Sequence, residues 1–284
     1  MVAKRFKARK NKSKDMNLEL NNIYLMDVLD GLKKMDNTCC DIIIIDPPYN
    51  IGKDFGINKD KMELSEYVEW SKKWIDECIR VLKPSGTMFI YGFSENLAYL
   101  FAEIPIPKRW LVWHYTNKNV PTLKFWQRSH ESIICCWKEK PIFNLDDVRE
   151  PYTTGFLNGS AGKIRNGTKG RFSRNGKETV YNAHEKGALP RDVIKIPALA
   201  GGAGLVEGVD HPTQKPLALC DKLIKSAKPS TGGLVLVPFV GSGSECVSAI
   251  KNNLDYLGFE INPAYIKLAN KRINEINIAS PRNR

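Results

Sequence analysis

The stretch Asp46-Pro47-Pro48-Tyr49 places a carboxylate, two prolines and an aromatic ring side by side. Proline lacks a backbone N–H and fixes φ, so the chain must leave this stretch stiffly, with a free carbonyl beside the carboxylate. Such acceptors next to a ring suit a planar group with an exocyclic amine, for example an adenine or cytosine flipped out of a duplex. The alternative is a turn in which Asp46 only accepts from nearby backbone amides.

A second stretch, Gly241-Ser242-Gly243, lies between an apolar run and a run of helical period. A strand, a Gly-x-Gly turn and a helix bring the backbone close to a ligand. Glu260 ends the next apolar run and could accept from both hydroxyls of a ribose. The third glycine of a dinucleotide site is replaced by Cys246, and no P-loop ending is present. We therefore expect S-adenosylmethionine as the nucleoside cofactor.

The elements that must position these residues alternate along the chain. Four consecutive isoleucines, residues 42–45, predict a strand buried on both faces at the centre of a sheet. The other predicted strands are 22–26, 87–91, 110–115, 132–137, 232–237 and 255–259, and the predicted helices are 28–35, 64–82, 95–104, 217–228 and 245–252. This pattern predicts an α/β fold with a doubly wound, mostly parallel sheet, in which ligands bind at the carboxyl ends of the strands.

The charge of the chain points to a polyanionic partner. With 284 residues, 42% of them hydrophobic, the chain can bury a sizeable core as one domain with an insertion. A formal net charge of +12 costs self-repulsion unless it meets an acidic partner, and nucleic acid is the first candidate. Residues 1–17 contain seven Lys or Arg residues and are predicted to be a basic arm that could meet phosphates, or else a solvated tail.

The cysteines and the apolar runs favour a protein of the reducing cytoplasm. None of the seven cysteines forms a CxxC pair or a disulfide-like framework, so we expect buried thiols and no metal ligands. No apolar run is long enough to cross a bilayer, and the basic start lacks the hydrophobic segment of a signal peptide. We expect a cytoplasmic, nucleoid-associated protein that does not bind membranes.

The composition changes between residues 144 and 208, which are rich in Gly, Asn, Arg and Lys and show no helical period. Within this segment, residues 167–177 combine three glycines, four basic residues and one Phe. That mixture is typical of a flexible loop that contacts nucleic acid, although a solvated loop has a similar composition.

Three motifs in a fixed order resemble a known family. They are Asp46-Pro47-Pro48-Tyr49, His211-Pro212-Thr213-Gln214-Lys215-Pro216 and Pro238-Phe239-Val240-Gly241-Ser242-Gly243. With these motifs in this order, residues 20–275 are similar to the β-class amino-methyltransferases of DNA. These are chiefly N6-adenine enzymes of bacterial and phage restriction-modification systems. The resemblance implies a seven-stranded Rossmann-like sheet and transfer of a methyl group from S-adenosylmethionine to the N6 amine of a flipped adenine in double-stranded DNA.

The resemblance also implies roles for residues of the catalytic motif. Asp46, with a carbonyl of Pro47 or Pro48, would hold the target amine, and Tyr49 would stack on the base. The implied organisation is a basic arm over 1–17, a catalytic half over 18–143, a target-recognition insertion over 144–208, a cofactor-binding half over 209–277 and a tail over 278–284. A homodimer and a cognate restriction endonuclease are further partners that the family suggests.

On the cofactor side, the resemblance implies that Glu260 binds the ribose and that Asp27 reaches the adenine, unless Asp27 only caps the helix that follows it. Thr213 and Lys215 would lie near the methionine end. The other residues that would line the cofactor are Asp46, Phe239, Gly241, Ser242 and Gly243.

One departure from the family keeps alternatives open. The family usually has Asp before Pro-Phe, and Val237 at this position removes an acceptor near the methionine amino group. A catalytically silent DNA-binding homologue is therefore one alternative. Another is an N4-cytosine enzyme, although these more often carry Ser where this chain has Asp46. A nicotinamide oxidoreductase would not need the basic segment 144–208. C5-cytosine methylation and zinc deamination are excluded because no Pro-Cys dipeptide occurs.

Overall fold

The structure is a computed structural model, and it describes residues 18–54, 60–115, 117, 122, 124–166 and 178–279. The predicted basic arm, the loop over 167–177 and most of the predicted tail lie outside these residues. None of the described helices combines the length and the apolarity that crossing a membrane requires.

A mixed sheet of eight strands forms the centre of the fold. The strands of the chain are β1 (Asn22–Leu25), β2 (Cys40–Ile45), β3 (Leu82–Gly92), β4 (Lys108–His114), β5 (His130–Trp137), β6 (Ile164–Asn166), β7 (Glu178–Val180), β8 (Val193–Lys195), β9 (Leu234–Val237) and β10 (Asp255–Glu260). The order across the sheet is β1-β10-β9-β2-β3-β5-β4-β8, and β6 and β7 form a separate antiparallel pair. The first five strands in this order, β1, β10, β9, β2 and β3, are parallel to one another. β5 runs antiparallel to β3 and β4.

The predicted α/β fold class is confirmed, but the sheet has one strand more than the seven expected. The extra strand is β8, which comes from segment 144–208 and pairs in parallel with β4. Three residues are too few to show an alternating pattern, because the side-chain period of a strand is two.

Helices pack on both faces of the sheet, and the described part of the chain has eight α-helices in all. They are α1 (Val28–Leu32), α2 (Leu64–Val81), α3 (Ser94–Glu103), α4 (Thr154–Gly159), α5 (Gly202–Glu207), α6 (Leu217–Ala227), α7 (Ser244–Lys251) and α8 (Pro263–Ala279), and residues Leu145–Val148 form a 3₁₀ helix. Segment 144–208 shows no helical period in its sequence, yet it contains the short helices α4 and α5. Each has six residues, less than two turns, so a helical period has no room to show.

The isoleucines of β2 serve both layers of the core. Ile42 and Ile44 belong to the cluster that packs with α6, α7 and α8, while Ile43 and Ile45 belong to the cluster with α1, α2 and α3. All four are fully buried, which confirms the predicted central strand. Burying each such side chain contributes about 1.5–3 kcal/mol. β2 is therefore held rigidly, and so is the residue that follows it.

Candidate active site

A cavity of about 230 Å³ lies at the carboxyl ends of the parallel strands. Four neighbouring strands each deliver one residue to its wall: Asp27 follows β1, Glu260 ends β10, Phe239 follows β9 and Asp46 follows β2. Parallel strands end at the same edge of a sheet, so residues more than 200 positions apart in sequence become neighbours.

Ten of the twelve residues predicted for the site line this cavity. They are Asp27, Asp46, Pro47, Pro48, Thr213, Lys215, Phe239, Gly241, Ser242 and Glu260. The two that do not line it are Tyr49 and Gly243. The catalytic motif and the glycine turn, which are nearly two hundred positions apart, therefore face the same space.

A buried ion pair organises the end of the cavity at β2. The ammonium Nζ of Lys215 lies 2.8 Å from both carboxylate oxygens of Asp46 and 3.6 Å from Oε2 of Glu131. Lys215 is only 3% exposed. Burial alone would lower the pKa of Lys215, but the negative charges of Asp46 and Glu131 outweigh burial and hold that pKa above its ordinary value. Lys215 is thus a fixed cation that orients both oxygens of Asp46.

Tyr49 holds Asp46 in position through its hydroxyl group. Its hydroxyl donates to Oδ1 of Asp46 at 2.7 Å and to Oε2 of Glu131 at 3.2 Å. Its ring is buried and meets the ring of Phe93 edge-on, with the centroids 5.1 Å apart. Burial and these two carboxylates raise the pKa of Tyr49 well above its ordinary value. The ring does not face the cavity in this structure, so stacking on a base stays a prediction.

At the other end of the cavity, backbone amides hold a carboxylate. Oε2 of Glu260 accepts from the amide of Gly241, and Oε1 accepts from the amide of Asn262, both at 2.8 Å. Burial raises the pKa of Glu260. Gly241 has φ of +49°, and a Cβ there would lie 2.8 Å from Nε2 of His211. The turn can therefore approach His211 only because it has no side chain.

Gly243 acts on packing instead of lining the cavity. Its φ is +78°, and a Cβ there would lie 2.7 Å from Cβ of Ala269 in α8. Beside it, the buried guanidinium of Arg272 donates to the carbonyl of Ser242 at 2.7 Å and to Oγ of Ser244 at 3.1 Å. The second glycine therefore lets α7 begin close to α8, and Arg272 fixes the turn.

Asp27 caps α1 by accepting from the amide of Leu29 at 2.9 Å, and it also lines the cavity, so its contact with the adenine of a cofactor stays a prediction. Val237 is fully buried among apolar residues of the core and does not line the cavity. The last residue of β9 therefore offers no acceptor to a ligand.

An aromatic wall was missed by the sequence analysis. Tyr67 and Trp70 of α2 line the cavity, and the ring of Trp70 lies 5.9 Å from the ring of Phe239. The hydroxyl of Tyr67 donates at 2.9 Å to the carbonyl of Pro48. The apolar residues Leu64, Val68 and Ile79 of α2 are only half-buried. The buried residues of this helix are Tyr67, Ser71, Trp74, Ile75, Cys78 and Val81.

The spacing of Tyr67, Trp70 and Trp74, which repeats every three or four residues, could have shown this aromatic face. Glu131, in contrast, had no local signal. It begins an antiparallel strand, and only the reversed direction of β5 brings its first residues to the edge where β2 ends.

Asp60 ties down the loop that follows the catalytic motif. The carboxylate of Asp60 accepts from the amide of Asn50 at 2.8 Å and from the amide of Ile51 at 3.2 Å. Asp60 also lines the cavity. The side chain of Asn50 exchanges two hydrogen bonds with the backbone of Met62, at 2.6 and 3.0 Å. Both stems of the loop over residues 51–63 are thus anchored. Its residues 55–59 lie outside the described part of the chain.

The cavity wall is acidic. Among the described residues, five carboxylates line it, namely Asp27, Asp46, Asp60, Glu245 and Glu260, against the one cation of Lys215. Burial lowers the pKa of His211, also in the wall, to about 4, so this imidazole is neutral at pH 7. Within the described residues no group of three or more His, Cys, Asp or Glu side chains could hold a metal ion. The arrangement therefore suits an organic ligand that carries positive charge.

Known proteins are similar to this chain over most of its length. The family model described as DNA methylase matches residues 40–271. The chain is 31% identical over 255 residues to the type II methyltransferase M.HpaI of Haemophilus parainfluenzae, covering 87% of this chain and 72% of that protein. It is 31% identical over 262 residues to the DNA adenine methyltransferase YhdJ of Escherichia coli (strain K12), covering 90% and 83%.

Solved structures share the fold. The M1.HpyAVI–SAM complex superposes with a TM-score of 0.57 at 21% identity, over 89% of this chain and 98% of that one. The cytosine-N4-specific PvuII DNA methyltransferase superposes with a TM-score of 0.64 at 15% identity, over 90% and 87%. These likenesses support the α/β fold, and the sequence match over most of the chain goes further. The chain belongs to the DNA methylase family.

Proposed function

We propose that this chain is a DNA methyltransferase that moves a methyl group from S-adenosylmethionine to the N6 amine of adenine. The observation that carries this proposal is the meeting of Asp46 and the Gly241–Gly243 turn at one cavity. A methyl donor on the turn and an amine on the carboxylate would then be neighbours. Membership of the DNA methylase family supports the same reaction.

The residues present fit S-adenosylmethionine. Glu260 is fixed by two backbone amides and has lone pairs left for ribose hydroxyls. The rings of Trp70 and Phe239 offer a surface for an adenine, and Asp27 lies in the same wall. The acidic lining favours a sulfonium, whose charge is positive. When bound, the cofactor supplies an electrophilic methyl group on sulfur.

Asp46 is the residue that we propose for activating the amine. Lys215 and Tyr49 occupy three of its lone-pair sites, two on Oδ1 and one on Oδ2, which leaves a site on Oδ2 for an amine hydrogen. The carbonyl of Pro48 accepts from Tyr67 and has a second lone pair for the other hydrogen. The amine is thereby held with its nitrogen lone pair toward the methyl group.

The transfer itself needs no covalent enzyme intermediate. The methyl group of S-adenosylmethionine would pass directly to the amine nitrogen held by Asp46, so that an N–CH₃ bond replaces the S–CH₃ bond and the electron pair of the latter stays on sulfur. Positive charge develops on the amine nitrogen beside the carboxylate of Asp46, which stabilises it. A proton then leaves the nitrogen, with Asp46 as the nearest acceptor. Alignment of the two reacting groups supplies much of the remaining rate.

Adenine is the base that the relatives favour, since YhdJ is named as a DNA adenine methyltransferase. The fold does not separate adenine from cytosine, because the PvuII enzyme shares it and is cytosine-N4-specific. N4-cytosine methylation is therefore the second candidate. A product analysis separates the two.

The partner that this function requires is DNA, and the net charge of +12 suits it. We further propose that residues 144–208 form the target-recognition region, that the enzyme works in the cytoplasm on nucleoid DNA, and that it acts as a homodimer or beside a cognate restriction endonuclease. Mass determination in solution tests the dimer.

The decisive experiment expresses the chain in a host that lacks its own DNA methylation and maps modified bases by sequencing. We expect N6-methyladenine at one short sequence motif. The matched control is Asp46→Asn, which keeps the size of the side chain but cannot hold the amine as a carboxylate does. Methyl transfer should fall at least about a thousandfold in this variant. N4-methylcytosine would establish the second candidate, and unmodified DNA from an expressed, folded chain would overturn the proposal.

A further inference from the structure

Glu245 is a buried carboxylate that the proposed reaction has not yet used. It lies in the first turn of α7, is 3% exposed and lines the cavity. The donors that the described part of the chain gives it are its own backbone amide and the thiol of Cys220, a weak donor whose Sγ lies 3.5 Å from Oε1. A buried carboxylate normally accepts hydrogen bonds from several strong donors, so Glu245 can still accept from a further donor.

The neighbouring cation does not meet that need. The charge of Glu245 acts on Lys215, but the ammonium of Lys215 is bound to both oxygens of Asp46 and also lies near Glu131. Three carboxylates therefore share one lysine at this end of the cavity. The excess of negative charge is what a cationic ligand group would balance.

Burial and the charge of Asp46 raise the pKa of Glu245 to about 7. The groups that face it from the packed elements are Asp46, Lys215, Cys220 and Tyr91. A carboxylate that is unfavourable to ionise in the folded protein and that lies at the wall of a cavity is typical of a binding group.

We infer that Glu245 binds the α-ammonium group at the amino-acid end of the cofactor. The inference rests on the proposed function and assigns a cofactor contact that the three sequence motifs do not contain. Glu260 ends β10 and Asp27 follows β1, whereas Glu245 neighbours Asp46 at the end of β2. The ribose and adenine thus belong to one end of the cavity, and the amino-acid end to the other. Glu245 supplies the acceptor that Val237 does not.

The test compares two ligands by calorimetry: S-adenosylhomocysteine, and its analogue with hydrogen in place of the α-amino group. Neither carries a sulfonium, so only the ammonium differs between them. In Glu245→Gln we expect the affinity for S-adenosylhomocysteine to fall about tenfold, because a charge-assisted hydrogen bond is lost. The affinity for the deaminated analogue should change less than about twofold. Glu275→Gln, an exposed site on α8, is the matched control and should leave both affinities unchanged.

A second measurement uses the unsubstituted chain, so that the test does not depend on folding of the variant. The ratio of the two affinities should rise as the pH increases from about 5.5 to 7, because Glu245 must lose its proton to pair with the ammonium. An α-amino group stays charged over this range, with a pKa of roughly 8. Other titrating groups affect both ligands and cancel in the ratio.

The outcomes separate the two proposals. Equal losses for both ligands in Glu245→Gln, or a ratio that does not change with pH, would overturn the role of Glu245 while leaving the methyltransferase assignment intact. Failure of the unsubstituted chain to bind S-adenosylhomocysteine at all would overturn the proposed function itself, and the inference with it.

Discussion

The two ends of the cavity hold their carboxylates in different ways. At one end, Glu260 accepts from the backbone amides of Gly241 and Asn262. At the other end, Asp46 accepts from side chains, the ammonium of Lys215 and the hydroxyl of Tyr49. The first arrangement follows from the path of the main chain through a turn. The second depends on side chains that come from segments 169 positions apart.

This difference has an energetic consequence. Backbone amides are neutral dipoles that stay in place when a neighbouring side chain is replaced. A buried lysine carries a full charge, so its loss leaves the carboxylates around it unpaired. We therefore expect substitutions at the Asp46 end to affect stability and substitutions at the Glu260 end to affect ligand binding.

Replacing the shared cation should have the largest effect. In Lys215→Met, Asp46 and Glu131 lose their buried partner, and their side chains are only 16% and 13% exposed. Removing one partner of a fully buried pair costs about 3–5 kcal/mol. Because these carboxylates keep some contact with water, we expect the free energy of unfolding to fall by about 2 kcal/mol, as measured by urea denaturation at pH 7.

The control for this variant is Lys72→Met, which removes an ion pair with Glu103 on the surface, where the side chains are 45% and 40% exposed. Its effect should be below about 0.5 kcal/mol. If both variants lost the same stability, the two ends of the cavity would not differ in the way described above.

Glu260→Gln should act on binding more than on stability. The glutamine keeps the shape of the side chain, but its NH₂ group cannot accept from a backbone amide or from a ribose hydroxyl. We expect the dissociation constant for S-adenosylhomocysteine to rise about tenfold in calorimetry. Glu103→Gln, at an exposed residue, serves as a control. An unchanged dissociation constant in Glu260→Gln would contradict the placement of the ribose at the Glu260 end of the cavity.

The smallest effect concerns the stability of the ligand-free protein at different pH values. The pKa of Glu245 is raised from 4.5 to about 7 in the folded state, so the folded state keeps a proton that the unfolded state releases between these values. The free energy of unfolding therefore falls as pH rises through this window. A full shift corresponds to roughly 3 kcal/mol, which relaxation of the site reduces.

Glu245→Gln removes this cost, since glutamine does not ionise. We expect the variant to be more stable than the unsubstituted chain by about 1 kcal/mol at pH 8, and no more stable below pH 4.5. Thermal unfolding at the two pH values measures the difference. A variant less stable at both would mean that the carboxylate contributes to packing and that its burial has no cost to relieve.

Much of the fold could be predicted because its elements have local signals. The run of isoleucines in β2 gives a buried strand wherever it occurs, and the turn at Gly241 and Gly243 needs backbone conformations that glycine adopts easily. Positions at the ends of parallel strands then meet at one edge by geometry alone. This explains why Asp27, Asp46 and Glu260 could be placed beside one another from the sequence.

The remaining parts of the site depend on pairing that the sequence does not encode locally. Glu131 reaches Tyr49 only because β5 runs antiparallel to β3, and an isolated apolar strand does not reveal its direction. The ion pair of Lys215 with Asp46 was also missed, although Lys215 was expected near the cofactor. Its partner depends on where the loop before α6 folds back over the sheet, a tertiary contact without a periodic signature.

The outermost strand of the sheet, β8, is attached mainly through its backbone. β8 joins the inserted segment to β4 through main-chain pairing over three residues, and Ile194 is the one residue of β8 that is buried. Main-chain pairing tolerates almost any side chain. The side chains of Val193 and Lys195 can therefore change without loss of the pairing that attaches β8 to β4, so this end of the sheet constrains the backbone of the chain more than its sequence.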